Sequence, residues 1–319
     1  MATSFTPTNP INTDGASAVP GSSNRALGLK TYSGEVLTAF TRQNMFLDMV
    51  KTRTINGGIS AQFITTGQAA DTDAATHTPG SDVAASVLKV SERTISITDR
   101  IYYSHFIDKL DEKLAQYDLR GELAKQAAEA LSTKIDKQIA GQIMIASETA
   151  ATTTQIAGHI VSVGTKAAFA ALTTEAKGDA LVEALFDSNV AFNAADVPMD
   201  GRGLVTTPQN YAYIVQSQKA VNRDFTNGNG GIDSGNVMNI AGTPIKWSNH
   251  LPTRNTADSA DLLGLFFQTG CVGVVKAMDI TSEANYIPEK LGDLLTSYYA
   301  LGMGILEPGK ACSIVATDA

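Results

Sequence analysis

Only two cysteines, Cys271 and Cys312, occur among 319 residues, in neither a CxxC pair nor a regular framework. A disulfide-stapled scaffold is therefore excluded, and reduced thiols are the expectation. Basic residues are scarce too: 24 Lys and Arg stand against 32 Asp and Glu, a formal net charge of −8. Without a basic field the surface does not draw phosphates onto itself, which disfavours a tight DNA- or RNA-binding protein. The opening stretch MATSFTPTNPINTDGASAVPGSSN has neither a basic n-region nor an apolar h-region, so no signal peptide is expected. The most apolar run, Leu262 to Met278, is broken by Gln268, Thr269, Gly270 and Lys276. It falls short of the roughly 18 uninterrupted residues a membrane span takes, and no membrane partner is expected.

What is present is a globular composition: 43% hydrophobic residues, 27 Gly and 18% charged residues, in a chain long enough for about two compact units. Residues 1 to about 28 are rich in Ser, Thr, Pro, Gly and Asn and carry too few large apolar groups to offset their ordering entropy, so they read as an arm ordered by partners. From Thr31 to Val50 the positions Val36, Leu37, Phe40, Phe46, Leu47 and Val50 give helical spacing and predict a short helix. Up to Asn56 the basic residues Arg25, Lys30, Arg42, Lys51 and Arg53 outnumber the acidic Asp14, Glu35 and Asp48, so the arm is mildly basic on an acidic chain.

After the turn signal Asn56-Gly57-Gly58, Ile59 to Thr66 reads as a strand, a polar small-residue stretch follows, and Val87 to Thr98 returns with Ile95 and Ile97 alternating against Thr94, Ser96 and Thr98. This pattern predicts a long β-hairpin. A lone hairpin is marginal in water. An arm precedes it and a helix follows it, so no third strand is offered nearby, and a neighbouring subunit is the economical support.

Asp118 is placed to cap a helix from Leu119 to about Ser147, rich in Ala, Leu, Lys and Gln and free of Pro. Its apolar positions Leu119, Leu123, Ala127, Leu131, Ile135, Ile139 and Ile143 recur every four residues, so the stripe drifts around the axis and different stretches meet different partners. A second helix is predicted from Asp179 to about Ala195, stopped by Val197-Pro198. Gly203 to Thr207 reads as a strand, with Pro208 opening a short helix through Tyr211, Tyr213 and Ile214. Asn227 to Gly231 reads as a loop. Further strands are predicted at Thr243–Trp247, Leu262–Phe267, Val272–Val275 and Cys312–Val315. The class is α+β.

Candidate chemistry dissolves on inspection. Gly304-Ile-Leu-Glu-Pro-Gly309-Lys310-Ala311 matches the phosphate-binding G-x-x-x-x-G-K spacing, but Ala311 replaces the magnesium-binding hydroxyl, Pro308 lacks a donor N–H, and too few residues follow for the required helix. Asp71, Asp73 and Asp82 fit three positions of a calcium loop, yet Ala75 and Thr76 occupy positions wanting a ligand and a Gly. His77, His105, His159 and His250 have no paired ligand spacing. In DKLDEKL, Ile107, Leu110 and Leu114 mark a helix face whose wet side carries Asp111 and Glu112. No catalytic residue, cofactor or metal ligand is predicted, and the chain is not expected to be an enzyme.

Several short runs, in order, resemble the major capsid proteins of short-tailed phages of the coliphage T-seven type. They are Gly34-Glu35-Val36-Leu37-Thr38-Ala39-Phe40, Ser60-Ala61-Gln62-Phe63, Tyr117-Asp118-Leu119-Arg120 before the long helix, Gly264-Leu265-Phe266, and Val272-Gly273-Val274-Val275-Lys276. The resemblance spans about Lys30 to Val315. Ala151 to Lys177 and Ile280 to Leu291 depart from it.

The resemblance implies the Hong Kong 97-type capsid fold. In those terms residues 1–56 form the N-terminal arm, 57–100 the extended loop, 101–177 a peripheral domain with the spine helix, 178–268 the axial domain, 269–306 the return strands of the peripheral domain, and 307–319 a tail returning to the axial domain. It implies a structural protein of the virion, made in the host cytoplasm, that self-assembles into hexamers and pentamers of an icosahedral head. Its implied partners are copies of itself, a scaffolding protein, a portal protein and, non-specifically, double-stranded DNA. An acidic balance suits such a wall, since a basic lining would hold DNA against packing and ejection. The alternative is a tail or decoration protein forming small oligomers. Phe63, Arg93 and Arg100 are the expected inter-subunit contacts, the two arginines as ion-pair partners that give register more than affinity.

Overall fold

The computed structural model describes residues 45–66, 90–97, 100–115, 119–152, 155–217, 230–231, 236–237, 239–253 and 261–318, with isolated positions between 74 and 82. Most of the expected arm and of its helix, the hairpin tip with Asp71 and Asp73, and the Asp118 cap lie outside the described residues. Strands are β1 (Lys51–Thr54), β2 (Ser60–Thr66), β3 (Val90–Ser96), β4 (Ile101–Asp108), β5 (His159–Thr165), β6 (Arg202–Thr206), β7 (Gly230–Gly231), β8 (Asn236–Val237), β9 (Asn239–Ile240), β10 (Thr243–Trp247), β11 (Asp261–Gln268), β12 (Val272–Ile287), β13 (Gly292–Ile305) and β14 (Ala311–Thr317). Helices are α1 (Lys109–Leu114), α2 (Leu119–Glu148), α3 (Lys166–Ala171), α4 (Thr174–Ala194) and α5 (Pro208–Gln216), with single 3-10 turns at Leu47–Met49, Pro288–Lys290 and Pro308–Lys310.

Two compact units result, one from Asp99–Lys134 and Met278–Leu301, the other from Asn44–Thr98, Ile135–Ala277 and Gly302–Ala319. The second unit is built on a six-stranded sheet of order β5-β14-β11-β6-β10-β9. Its β5–β14 and β6–β10 pairs are parallel and the others antiparallel. Helix α4 lies over β5 and β14, and α5 packs beside α4 and reaches β10. Leu181, Leu185 and Phe192 of α4 and Ile214 of α5 bury against Leu204, Phe266 and Ile314 of the sheet. The Phe192 and Phe266 ring centroids are 4.6 Å apart. Each such side chain removed from water stabilises by about 1.5–3 kcal/mol. The opposite faces of the central strands are covered as well: Leu265, Phe267 and Val315 are buried, and Phe46 stacks on Phe267. That double burial is why Cys312–Val315 reads as a continuous apolar run rather than an alternation.

Local signals set the helix starts. Thr207 accepts from Asn210 N with Pro208 in the first turn of α5, as the sequence predicts. Helix α4 begins earlier than expected because Thr173 accepts from Ala176 N. Gly178, inside that helix, is required: a Cβ there would lie 2.2 Å from the Tyr213 carbonyl oxygen of α5. The same helix ends with Asp196 at φ 53°, and Val197 N donates to Phe192 O.

In α2 the residues Leu123, Ala127, Leu131, Ile135, Ile139 and Ile143 are all buried. Each four-residue step turns about 40° past a full revolution, so the stripe sweeps about half the circumference. Its early part serves the first unit, where Leu123 meets Ile107 and Leu295. From Ile135 onward it belongs to the second.

In the first unit β4 and β13 pair antiparallel, from Gly292↔Asp108 to Tyr299↔Ile101. Ile107 therefore sits in a strand, not on the helix face its spacing with Leu110 and Leu114 suggested. Helix α1 starts only after Asp108, whose carboxylate accepts from Leu110 N, and it leaves Leu110 and Leu114 exposed. The Val272–Val275 strand is also longer than expected, and β13 follows it. Gly304 to Lys310 forms the end of β13 and a 3-10 turn leading into a strand, with Lys310 Nζ 2.7 Å from Glu307 Oε2.

Candidate functional site

The hairpin is the feature the sequence singles out, and its base is well defined. Strands β2 and β3 pair over seven residues, Ser60↔Ser96 to Thr66↔Val90. Alternation puts Ala61, Phe63 and Ile95 on one face, where they bury with Val275 and Leu306. The other face leaves Ile64 and Val90 exposed. The base thus rests on its own chain, on segments far along the sequence, and not on a neighbour as expected. Glycines make the seat: a Cβ on Gly304 would lie 2.8 Å from Ile95 Cγ1, and one on Gly302 2.7 Å from Ser96 O.

The three expected contact residues separate into two groups. Phe63 is 7% exposed, with the Arg53 guanidinium 5.9 Å from its ring centroid. Arg53 also donates from Nη1 to Gln62 O at 2.9 Å. Arg93 stands opposite Phe63 in the ladder and donates from Nη2 to Gln155 Oε1 at 2.5 Å. Gln155 Nε2 donates to Leu306 O at 2.7 Å, so Arg93 and Gln155 tie the return strand to the end of the β13 segment. Arg100 belongs to the other unit, is exposed, and lies 5.9 Å over the Tyr298 ring, whose hydroxyl donates to Glu283 at 2.6 Å.

Two polar anchors escaped the sequence reading. Asp136, on the buried side of α2, accepts from Met45 N at 3.2 Å, and His250 Nδ1 lies 3.2 Å from the same oxygen. Burial pushes the Asp136 carboxyl above its ordinary pKa, against the opposing pull of these donors. Only the polar Asp among apolar fours hinted at it. In the first unit Arg120 bridges Glu112 and Asp293, joining α1, α2 and β13. Arg120 had been noticed only as part of a motif.

The remaining titratable groups are scattered. His105 bonds Tyr103 at 2.7 Å, and His159 packs beside Phe192; burial lowers the pKa of both imidazoles. Burial raises both thiols, that of Cys312 to about 11. Among the described residues no group of three or more His, Cys, Asp or Glu could hold a metal ion. None of their helices is long and apolar enough to cross a membrane. The organised features of this chain are surfaces and their anchors.

The Gp10A-like family, whose members are described as major capsid proteins, matches residues 62–315. The chain belongs to this family. It is 27% identical over 334 aligned positions to the major capsid protein of Escherichia phage T7, covering 94% of this chain and 95% of that protein. The capsid structure of the cyanophage P-SCSP1u superposes with a TM-score of 0.79 at 30% identity, over 99% of this chain and 100% of that one. The mature capsid of bacteriophage PhiM1 gives a TM-score of 0.74 at 16% identity, over 90% and 91%, and so shares the fold. The mixed α+β architecture is that of phage capsid subunits. As a Gp10A-like major capsid protein the chain is a structural component of the virion shell, built from many copies of itself. The matched region opens at Gln62, inside the hairpin, and closes at Val315, inside β14, so it takes in the hairpin seat and both units.

Proposed function

We propose that this protein assembles through hexamers and pentamers into an icosahedral phage head around double-stranded DNA, with the Hong Kong 97-type arrangement of arm, extended loop, peripheral domain and axial domain. Membership of the Gp10A-like family over residues 62–315 carries the reading. The hairpin of β2 and β3 corresponds to the extended loop, α2 to the spine helix, the β4–β13 ladder to the peripheral domain, and the six-stranded sheet with α4 and α5 to the axial domain. Arg100 contacts a neighbouring subunit directly, while Phe63 and Arg93 hold the hairpin base at the angle that delivers its outer face to that neighbour. A scaffolding protein, a portal and the packaged DNA are the further partners. The net charge of −8 supports a wall that does not grip its DNA.

Electron microscopy of the purified chain, expressed with and without a scaffolding protein, tests this. Uniform polyhedral shells, or curved sheets and tubes, are expected. Discrete monomers or small rings under every condition would overturn it in favour of a tail or decoration role.

A further inference from the structure

The six-stranded sheet of the second unit ends in two dissimilar edges. At one, α4 lies over β5 and β14 and turns Glu183, Phe186, Asp187 and Val190 outward. Residues spaced three and four apart share one helix face, so these four make an apolar strip flanked by acids. Phe186 is 50% exposed and Val190 65%. At the other edge, β10 presents Trp247, 49% exposed, beside the exposed Lys246. Only the two-residue β9 lies beyond β10 in the sheet. None of Glu183, Asp187 and Lys246 joins the ion pairs found among the described residues.

Scattered apolar side chains on a surface need no explanation, but these are paired by chemistry and by position. One edge offers a groove-like apolar strip with negative flanks. The opposite edge of the same sheet offers an indole with an adjacent ammonium. Two acid-flanked strips facing each other across a two-fold axis would set like charges together. A head-to-tail contact instead matches unlike edges, and when repeated with a fixed rotation it closes a ring.

We propose that a second copy of this chain seats Trp247 on the Phe186–Val190 strip, with Lys246 pairing Asp187, and that this contact repeated head to tail closes the capsomer. The proposal rests on the shell reading and adds the residues and polarity of the contact. Trp247 supplies the buried anchor, since large aromatics dominate interface energetics, and the flanking charges fix register.

The test is a double cysteine variant, Val190→Cys with Trp247→Cys, oxidised within purified shells and run on a non-reducing gel. Both native thiols are buried and contribute little background. The expected result is a reductant-sensitive ladder rising through trimers and tetramers to the full ring. Shells that give no product above dimer overturn the contact and leave the shell reading intact. If the unaltered chain forms no shells at all, the shell reading fails and the ring with it. Charge exchange is the second arm. Asp187→Lys and Lys246→Asp should each lower shell yield on the order of tenfold, and the double variant should recover most of it. Single variants that assemble at normal yield, or a folded double variant no better than either single, overturn the proposal.

Discussion

Arg93 Nη2 donates to Gln155 Oε1 at 2.5 Å, and Gln155 Nε2 passes the link on to the Leu306 carbonyl at 2.7 Å. The hairpin is therefore held at its base by one polar relay beside one apolar seat. Arg93→Ala should cost about 1–2 kcal/mol, because a charge-assisted hydrogen bond is lost and the Gln155 oxygen is left without its donor. Gln155→Ala should cost a similar amount, and the double variant less than the sum. Denaturation midpoints check the energies. Reversing the charge with Arg93→Glu or Arg100→Glu should lower the yield of shells, and normal yield would remove that residue from the assembly contacts.

Gly178 and Gly141 lie in helices but in opposite situations. A Cβ on Gly178 would meet the Tyr213 backbone at 2.2 Å, whereas one on Gly141 meets nothing within 4 Å. Gly178→Ala should separate α4 from α5 and destabilise by about 3 kcal/mol or more, as overpacking against backbone does. Gly141→Ala should stabilise by up to about 1 kcal/mol through helix propensity. Thermal or denaturant unfolding of the two variants reads the opposite signs directly.

Burial raises the Asp136 pKa in the folded chain above its ordinary value of about 3.9. A raised carboxyl binds its proton more tightly when folded, so its contribution to stability is full below that ordinary value and declines as pH rises through the folded pKa. The stability of the protein relative to Asp136→Asn should therefore fall between about pH 4 and pH 7. A difference that stays constant across that range would contradict the burial account.

Cys271 and Cys312 are both buried, and burial holds their thiols above the ordinary range. Native protein at pH 8 should react with a thiol reagent far more slowly than protein unfolded in denaturant, which should label at both positions. Rapid labelling of the native chain would show that the sheet around β14 opens readily.

Much of this was legible from the amino-acid pattern. Helix α2 announced itself through apolar residues every four positions, and α5 through Thr207 and Pro208. Strands β2 and β3 showed alternation because one face is covered and the other is not. Strand β13 did not, because its burial follows no period of two and three glycines interrupt GDLLTSYYALGMGI. Strand β12 was read only as far as Val275. The spacing of Ile107, Leu110 and Leu114 mimicked a helix face across a strand-to-helix junction marked only by Asp108. The hairpin seat was invisible for a different reason: it is made by glycines whose value lies in the side chain they lack, far away in sequence. The Asp136–His250 anchor likewise joins residues that no local pattern connects.

The central claim is that copies of this chain tile a closed head with the hairpin reaching beyond its own subunit. A cryo-electron microscopy reconstruction of shells formed by the unaltered protein tests it most directly. The account predicts five- and six-fold capsomers, with the Ile64 and Val90 face of each hairpin covered by an adjacent copy. A shell in which that face stays in solvent, or particles without five-fold vertices, would contradict it.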